Sequence, residues 1–375
     1  MQLTRAAALL LLLPATALAG VLPEDRADLM YHYYDGGGVT IDGPSLLVRK
    51  KFAEKYAVSA NYYVDMVSSA SIDVITTASP YSEERTQYGV GFEYLRGKVT
   101  YSASFSNSTE NDYTADTASF SIAQDMFGDL TTVALLFSIG KDDVTRRGDP
   151  VFADEIDRRI YGVDVTQVAT KNLVLGFSFE TIAEEGFLNN PYRQVRYVDP
   201  VDPRGYAYEF ERYPRTRTGN AFALRGRWYL PYRAALQGDY RFYNDTWEIV
   251  SHTAEVSYTH PLGERLTFDV HYRFYKQDAA EFYSDLFPRE NFQNFLARDK
   301  ELASLTSHTL GFGVAWEFRS PLEFFDKTSV NFKYDRILFR YDDFRDLRTT
   351  GVAPGTEPLY EFDANVVRLF VSGWF

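Results

Sequence analysis

Val366-Val367-Arg368-Leu369-Phe370-Val371-Ser372-Gly373-Trp374-Phe375 closes the chain, and its reading decides the fold. Successive side chains of a strand point to opposite faces, so Leu369, Val371 and Phe375 share one side while Arg368 and Ser372 share the other. The apolar side ends on a bare aromatic. A strand with one oily and one wet face predicts a sheet that separates hydrocarbon from water.

The same alternation runs through the chain. Val99, Tyr101, Ala103 and Phe105 interleave with Thr100, Ser102, Ser104 and Ser106, and Tyr88, Val90, Phe92 and Tyr94 interleave with Gln87, Gly89, Gly91 and Glu93. The tight turn Arg96-Gly97 joins these two runs as a hairpin. Further strand-length segments read as 56–67, 117–124, 130–141, 157–169, 173–183, 216–229 and 233–245. Others read as 249–260, 265–276, 304–318, 329–341 and 364–375, with 27–35 and 44–52 flanking the Gly36-Gly37-Gly38 turn. Short connections, such as 53–55, 170–172 and 261–264, alternate with long ones at 68–84, 142–156, 184–215, 277–303 and 342–363.

Composition narrows the class. Arg5, the apolar run from Ala6 to Leu13, and Ala17-Leu18-Ala19 after Pro14 predict a cleavable secretory signal over residues 1–19. That run is too short to span a bilayer, and no apolar run of about eighteen residues follows it. Loss of Arg5 would take the formal net charge from −13 to −14, a balance that excludes nucleic acid as a partner. Cys is absent, which removes disulfides, thiolate metal sites and redox cysteines. Mean hydropathy lies on the polar side, yet aromatics reach 16 %. Both fit a membrane barrel with lipid outside, a polar lumen inside and aromatic girdles at the interfaces.

The expected fold is therefore all-β: a transmembrane antiparallel up-and-down β-barrel of about 16 strands (range 14–18), with short periplasmic turns and long extracellular loops, over residues 20–375. A soluble sandwich or propeller also alternates, but it would bury aliphatics of varied size. Here the apolar faces pair aromatics near strand ends, as in Tyr88/Tyr94, Phe268/Phe274 and Trp316/Phe318. The expected location is the outer membrane of a Gram-negative bacterium. The expected partners are outer-membrane lipid, the barrel-assembly machinery through Phe375, and an envelope protein.

If the apolar residues face lipid, the lumen receives Arg225 and Arg227 on one strand and Gln237, Asp239 and Arg241 on the next. Glu255 follows on the third strand, then Asp269, His271 and Arg273 on the fourth. An Arg or Lys at the lipid midplane would cost about 2–4 kcal/mol, so these groups belong inside. This wall mixes signs. It reads either as a transverse field orienting polar solute in a pore or as a salt-bridge lattice that rigidifies a narrow lumen.

Two loops stand out. Loop 184–215 is rich in Pro, Tyr and Arg and reads as an ordered constriction, lid or partner site. Loop 277–303 carries Phe282, Leu286, Phe292, Phe295 and Leu296 at a spacing that predicts one or two short helices. The carboxylates among them (Asp278, Glu281, Asp285, Glu290, Asp299, Glu301) lack a twelve-residue calcium-loop pattern and read as a solvated face. Arg147-Gly148-Asp149 matches an adhesion tripeptide but is explained by a turn before Pro150. No H-x-x-x-H spacing, G-x-S-x-G elbow or phosphate-cradling loop occurs, so no catalytic residue, metal ligand or cofactor is assigned. A Ser/His/acid set assembled across strands would have to use His252 or His271.

Four strings carry a resemblance: 65–73 (Asp65-Met66-Val67-Ser68-Ser69-Ala70-Ser71-Ile72-Asp73), 186–192, 213–218 and 282–287. As a set they resemble a proteobacterial outer-membrane barrel family classed only as domain of unknown function 3570, over essentially the whole mature chain. The resemblance transfers no site residue. It implies company with thioredoxin-like and flavin-attaching envelope proteins, hence an export or redox role. The functional expectation is a channel or export scaffold with a charged, restricted lumen. The alternatives are a docking sheath for an envelope partner and an enzyme with a site at the barrel rim.

Overall fold

The computed structural model describes residues 20–69 and 81–375. The expected signal segment lies outside them, as do Ala70, Ser71, Ile72 and Asp73 of the first resemblance string. Sixteen strands close into one antiparallel barrel, in the order β1 (Arg26–Gly36), β18 (Leu359–Trp374), β17 (Lys327–Arg345), β16 (Leu305–Arg319), β15 (Leu266–Gln277), β14 (Val250–Leu262), β13 (Ala235–Asp245), β12 (Thr216–Tyr229), β9 (Leu173–Gly186), β8 (Asp149–Thr170), β7 (Thr131–Arg146), β6 (Tyr113–Met126), β5 (Val99–Thr109), β4 (Tyr81–Arg96), β3 (Tyr56–Ser69) and β2 (Val39–Phe52). Every neighbour pair is consecutive in sequence except β9 (Leu173–Gly186) with β12 (Thr216–Tyr229) and the closing pair, β1 (Arg26–Gly36) with β18 (Leu359–Trp374). The missing numbers, β10 (Gln194–Val198) and β11 (Tyr206–Phe210), form a separate hairpin inside the β9–β12 connection.

The alternation read from the sequence is the alternation of the barrel wall. Leu224, Val256, Val270, Tyr272, Leu310 and Leu369 are all exposed on the outer surface. Their immediate neighbours face inward: Arg225 on β12 reaches Asp164 on β8 (Asp149–Thr170) past the intervening β9. Such a reach is possible only on the concave side. The architecture is that of a transmembrane up-and-down barrel, with an apolar skin and a polar interior.

At the seam, β1 pairs with β18 from Arg26↔Trp374 to Gly36↔Ala364 without a break. Phe375 prolongs the pairing by donating its N–H to Asp25 O at 3.3 Å, and its ring stacks on Phe324 at 5.0 Å. At the end that carries the chain termini, the connections are mostly tight. At the opposite, loop end, the expected short/long asymmetry holds only in part. Gly37 and Gly38 make a two-residue turn between β1 and β2 (Val39–Phe52), both with positive φ, which glycine adopts without a Cβ clash.

Segment 142–156, expected as a long loop, is also a correction. β7 (Thr131–Arg146) and β8 run on as a paired hairpin joined only by Arg147-Gly148. The alternation rule misses it because the hairpin rises beyond the apolar skin: its outer side is charged, while its inner side packs Val144 and Ile156 against loop residues. Lys141, for instance, pairs with Glu155 on its outer side at 2.9 Å.

Loop 277–303 contains no α-helix; its one helical element is a three-residue 3-10 turn, Lys300–Leu302. The aromatic spacing that suggested helices instead sends side chains to different cores. Phe282 packs with Tyr213 and Trp247, while Phe287 and Leu296 pack with Val195. Main-chain bridges (Phe287 N–H to Arg196 O at 2.9 Å, Leu296 N–H to Arg212 O at 2.7 Å) tie the loop to the β10–β11 region. Pro288 has no N–H to continue a helix.

Candidate functional site: the charged wall and the loop-end cap

Strand register sets Arg225, Asp239, Glu255 and Arg273 side by side, and Arg227, Arg241, Asp269 and His271 share their parity. Arg225 lies 3.5 Å from Asp239 and 3.8 Å from Asp164. Arg227 donates to Gln237 Oε1 through Nε (3.0 Å) and Nη2 (2.7 Å), and Gln237 Nε2 donates to Asp239 at 2.8 Å. Arg241 lies over the Tyr243 ring, 5.7 Å from its centroid. Glu255 sits opposite Asp239 on one side and Arg273 on the other, in register.

His271 on β15 (Leu266–Gln277) pairs with Asp335 on β17 (Lys327–Arg345) at 3.2 Å, and Arg368 on β18 grips the same carboxylate. Gly311 on β16 (Leu305–Arg319) makes that span possible, because an added Cβ would overlap both Asp335 Oδ1 and the His271 ring. Gly313 makes the same room for Asp269. His252 points the other way: it bonds Tyr240 OH at 2.7 Å on the outer surface. The two histidines therefore do not share a site.

Sequence reading missed two equivalent clusters. Asp65, only 3 % exposed on β3 (Tyr56–Ser69), holds His32 at 2.8 Å and Arg85 at 2.6 Å, with Tyr63 stacked on the imidazole. Asp142 and Glu184 together hold Arg158 at 3.1 and 2.9 Å. Strand parity was the available signal. Asp65 and Tyr63 share a face with Asn61, but Arg85 fell between the loop read as 68–84 and the strand read from Gln87, although β4 begins at Tyr81.

The opposite wall differs in kind. β5 (Val99–Thr109) turns Thr100, Ser102, Ser104, Ser106 and Ser108 inward, and β6 (Tyr113–Met126) adds Thr117, Ser119 and Ser121. Gly89 and Gly91 continue this small-residue wall on β4 (Tyr81–Arg96), while Ser104 is exposed to the interior. The strand order puts β5 eight places from β15, directly across the barrel from Asp269, His271 and Arg273.

Residues from several loops fold together into a cap at the loop end of the barrel. Leu188, Tyr213, Trp247, Phe282 and Leu302 form a core with Val144 and Ile156 from the inner ends of β7 and β8. Tyr213, Trp247 and Phe282 contact edge-on or tilted, with centroids 5.2–5.6 Å apart. Arg217 of the wall lies 4.5 Å above the Trp247 ring.

Beside this core runs a buried charge network that spans three loops. Arg196, with no exposed surface, donates to Glu357 Oε1 (2.6 Å), Glu357 Oε2 (3.1 Å), Asp285 O (2.9 Å) and the Asp285 carboxylate. Arg298 donates to Asp285 Oδ1 at 2.9 Å, and Arg193 pairs with fully buried Asp299. Burial opposes ionisation of Glu357, but the Arg196 fork and the Gly355 amide outweigh it and hold this carboxyl below its usual range. Glu211 goes the other way. Burial, then the Asp299 charge, pushes it up to about 7. The carboxylates of 277–303 expected on a solvated face thus include two, Asp285 and Asp299, that hold the cap together.

Residues 154–337 match the model of the family described as protein of unknown function (DUF3570). The DUF3570 segment takes in the charged wall from β8 to β16 and both large cap loops, including three of the four strings that carried the resemblance. No curated protein matches the chain. Among solved structures, a Pseudomonas aeruginosa FadL homologue aligns over 96 % of this chain and 92 % of its own, at 10 % identity and TM-score 0.47. A bacterial polysaccharide outer membrane secretin aligns over 94 % and 100 %, at 8 % identity and TM-score 0.48. Pseudomonas aeruginosa OccK2, solved in complex with glucuronate, aligns over 95 % and 100 %, at 8 % identity and TM-score 0.44.

Proposed function

We propose that the protein is an outer-membrane channel for small polar solutes, with an off-centre water path that follows the hydroxyl wall of β4–β6. The carrying observation is the asymmetry of the interior. Serine and threonine side chains occupy little volume and offer both donors and acceptors. Across from them, Arg225, Arg241 and Arg273 interleave with Asp239, Glu255 and Asp269. A solute moving between these walls meets a transverse field without a net excess of one sign, which favours zwitterionic or neutral polar cargo over a single ion class. The cap, built on the charged side, restricts the loop-end mouth.

Lipid on the apolar skin and the barrel-assembly machinery acting on the terminal Phe375 strand complete the proposed setting. Loop end outward and termini in the periplasm is the orientation this setting requires.

The chain has no cysteine, so a single Ser104→Cys probe reports on the path without background. Purified barrel in a planar bilayer should carry steady current, and a membrane-impermeant charged thiol reagent should reduce it in Ser104→Cys. Phe105→Cys, on the outer face, should not respond. A silent bilayer, or an unreactive Ser104→Cys in a conducting barrel, would refute the path.

A further inference from the structure

Three carboxylates outside the charged wall converge at the loop end of the hydroxyl wall. Glu83 stands near the loop end of β4, and Glu110 and Asp112 sit in the turn between β5 and β6. One oxygen from each lies within 4.8 Å of the others. Calcium holds oxygens at about 2.3–2.6 Å, so a single ion can touch all three. Asp112 is only 7 % exposed, and its Oδ1 has no hydrogen-bond partner. A buried acceptor left without a donor is costly, and a cation at this point would satisfy it.

Arg85, close to the cluster, is already engaged by Asp65 at 2.6 Å. Burial, together with the neighbouring Glu83 and Asp112 charges, pushes Glu110 up to about 7. Arg85 and Arg147 oppose the rise at Glu110 and Glu83 respectively without cancelling it, as expected of crowded, buried carboxylates.

We propose that Glu83, Glu110 and Asp112 form a divalent-cation site, with calcium the ion whose radius and preference for carboxylate oxygens fit it best. Three carboxylates leave further coordination positions for water, so affinity belongs in the weak, extracellular range, about 10⁻⁴–10⁻³ M. The site would also tie the cap to this rim. Tyr192 of the cap stands beside Asp112, and its hydroxyl oxygen accepts from Arg147 N–H at 2.6 Å. The inference does not depend on the transport reading, since binding is measured without any current.

Calorimetric titration of calcium chloride into the full mature barrel, stripped of metal and held in detergent micelles, tests it. One calcium per chain is expected, at least tenfold weaker in Glu110→Gln and in Asp112→Asn. Asp202→Asn, which removes a charge from a distant turn, should bind as the parent does. Heat-modifiable migration on gels checks that each variant keeps its barrel, and Glu83→Gln replaces any that does not. No saturable uptake by the parent in the millimolar range, or undiminished uptake by folded Glu110→Gln, would overturn the site.

Discussion

Replacing Arg196 by Met isolates the contribution of the buried charge network to the cap. Methionine keeps an unbranched apolar stem but removes the guanidinium that donates to Glu357 at 2.6 and 3.1 Å. Asp285 keeps Arg298 at 2.9 Å, so it is not orphaned. Glu357, 4 % exposed, keeps backbone amides as donors, Gly355 N–H at 2.8 Å among them, but no cation. Breaking a buried pair by removing one partner costs about 3–5 kcal/mol, because the other charge stays buried and uncompensated. At about 1.4 kcal/mol per decade, the cap should open at least 100-fold more often while the sixteen-strand wall stays closed. Hydrogen exchange reads this directly at two amides of the network, Val198 N–H to Phe287 O and Phe287 N–H to Arg196 O, both at 2.9 Å. These amides should lose protection by roughly two orders of magnitude or more. Adding Glu357→Gln to Arg196→Met removes the stranded charge and should restore much of it. Exchange within tenfold of the parent, or no recovery in the double variant, would refute the argument that this network holds the cap.

Glu211 makes the cap pH-dependent. Its carboxyl is pushed up to about 7 in the folded cap and titrates near 4.3 when the cap is open, so its contribution is complete below pH ~4.3 and is lost as pH rises through about 7. Cap amide exchange should therefore quicken from pH 5 to 8, after correction for intrinsic rates, and Glu211→Gln should flatten the trend. Gly311→Ala should lower barrel stability by about 1–3 kcal/mol in urea titrations, since its Cβ would overlap the His271–Asp335 pair. Gly238→Ala meets nothing within 4 Å and should be close to neutral. Leu224→Arg, on the outer skin at 58 % exposure, should cost about 2–4 kcal/mol in folding into lipid vesicles, whereas Ala223→Arg, one residue away on the inner face, should cost less.

Much of the barrel was legible because lipid and water impose the same rule on every strand inside the apolar belt. Leu224 and Arg225 could be sent to opposite faces from parity alone. The rule fails above the belt: in 142–156 the outer face is charged and the apolar residues Val144 and Ile156 turn inward to the cap, so a hairpin of β7 and β8 reads like a loop. It fails again in the cap, where Phe282 and Phe287 pack in separate cores at distances fixed by tertiary contacts rather than by a helical repeat. The charged wall was legible residue by residue, but its pairing was not. His271 meets Asp335 across an intervening strand only because residue 311 has no side chain, and nothing local to either partner signals that.

The placement of the cap follows from the same asymmetry. Long inner-facing side chains on β8–β18 narrow that half of the lumen and offer partners, as when Arg217 lies over Trp247. Loops folding back over this half find aromatic, apolar and charged contacts together. Below its loop-end residues Asp112 and Tyr113, the β5–β6 wall offers a folding loop mainly small hydroxyls, which are as well satisfied by water. On the proposed reading, cap and passage divide the barrel mouth by the chemistry beneath each. If so, enlarging the side chains of the hydroxyl wall should block the passage and leave the cap as it is: Ser104→Trp with Ser106→Trp should cut conductance without changing protection at Val198 or Phe287. Loss of protection there instead would mean that the two halves of the interior are not independent.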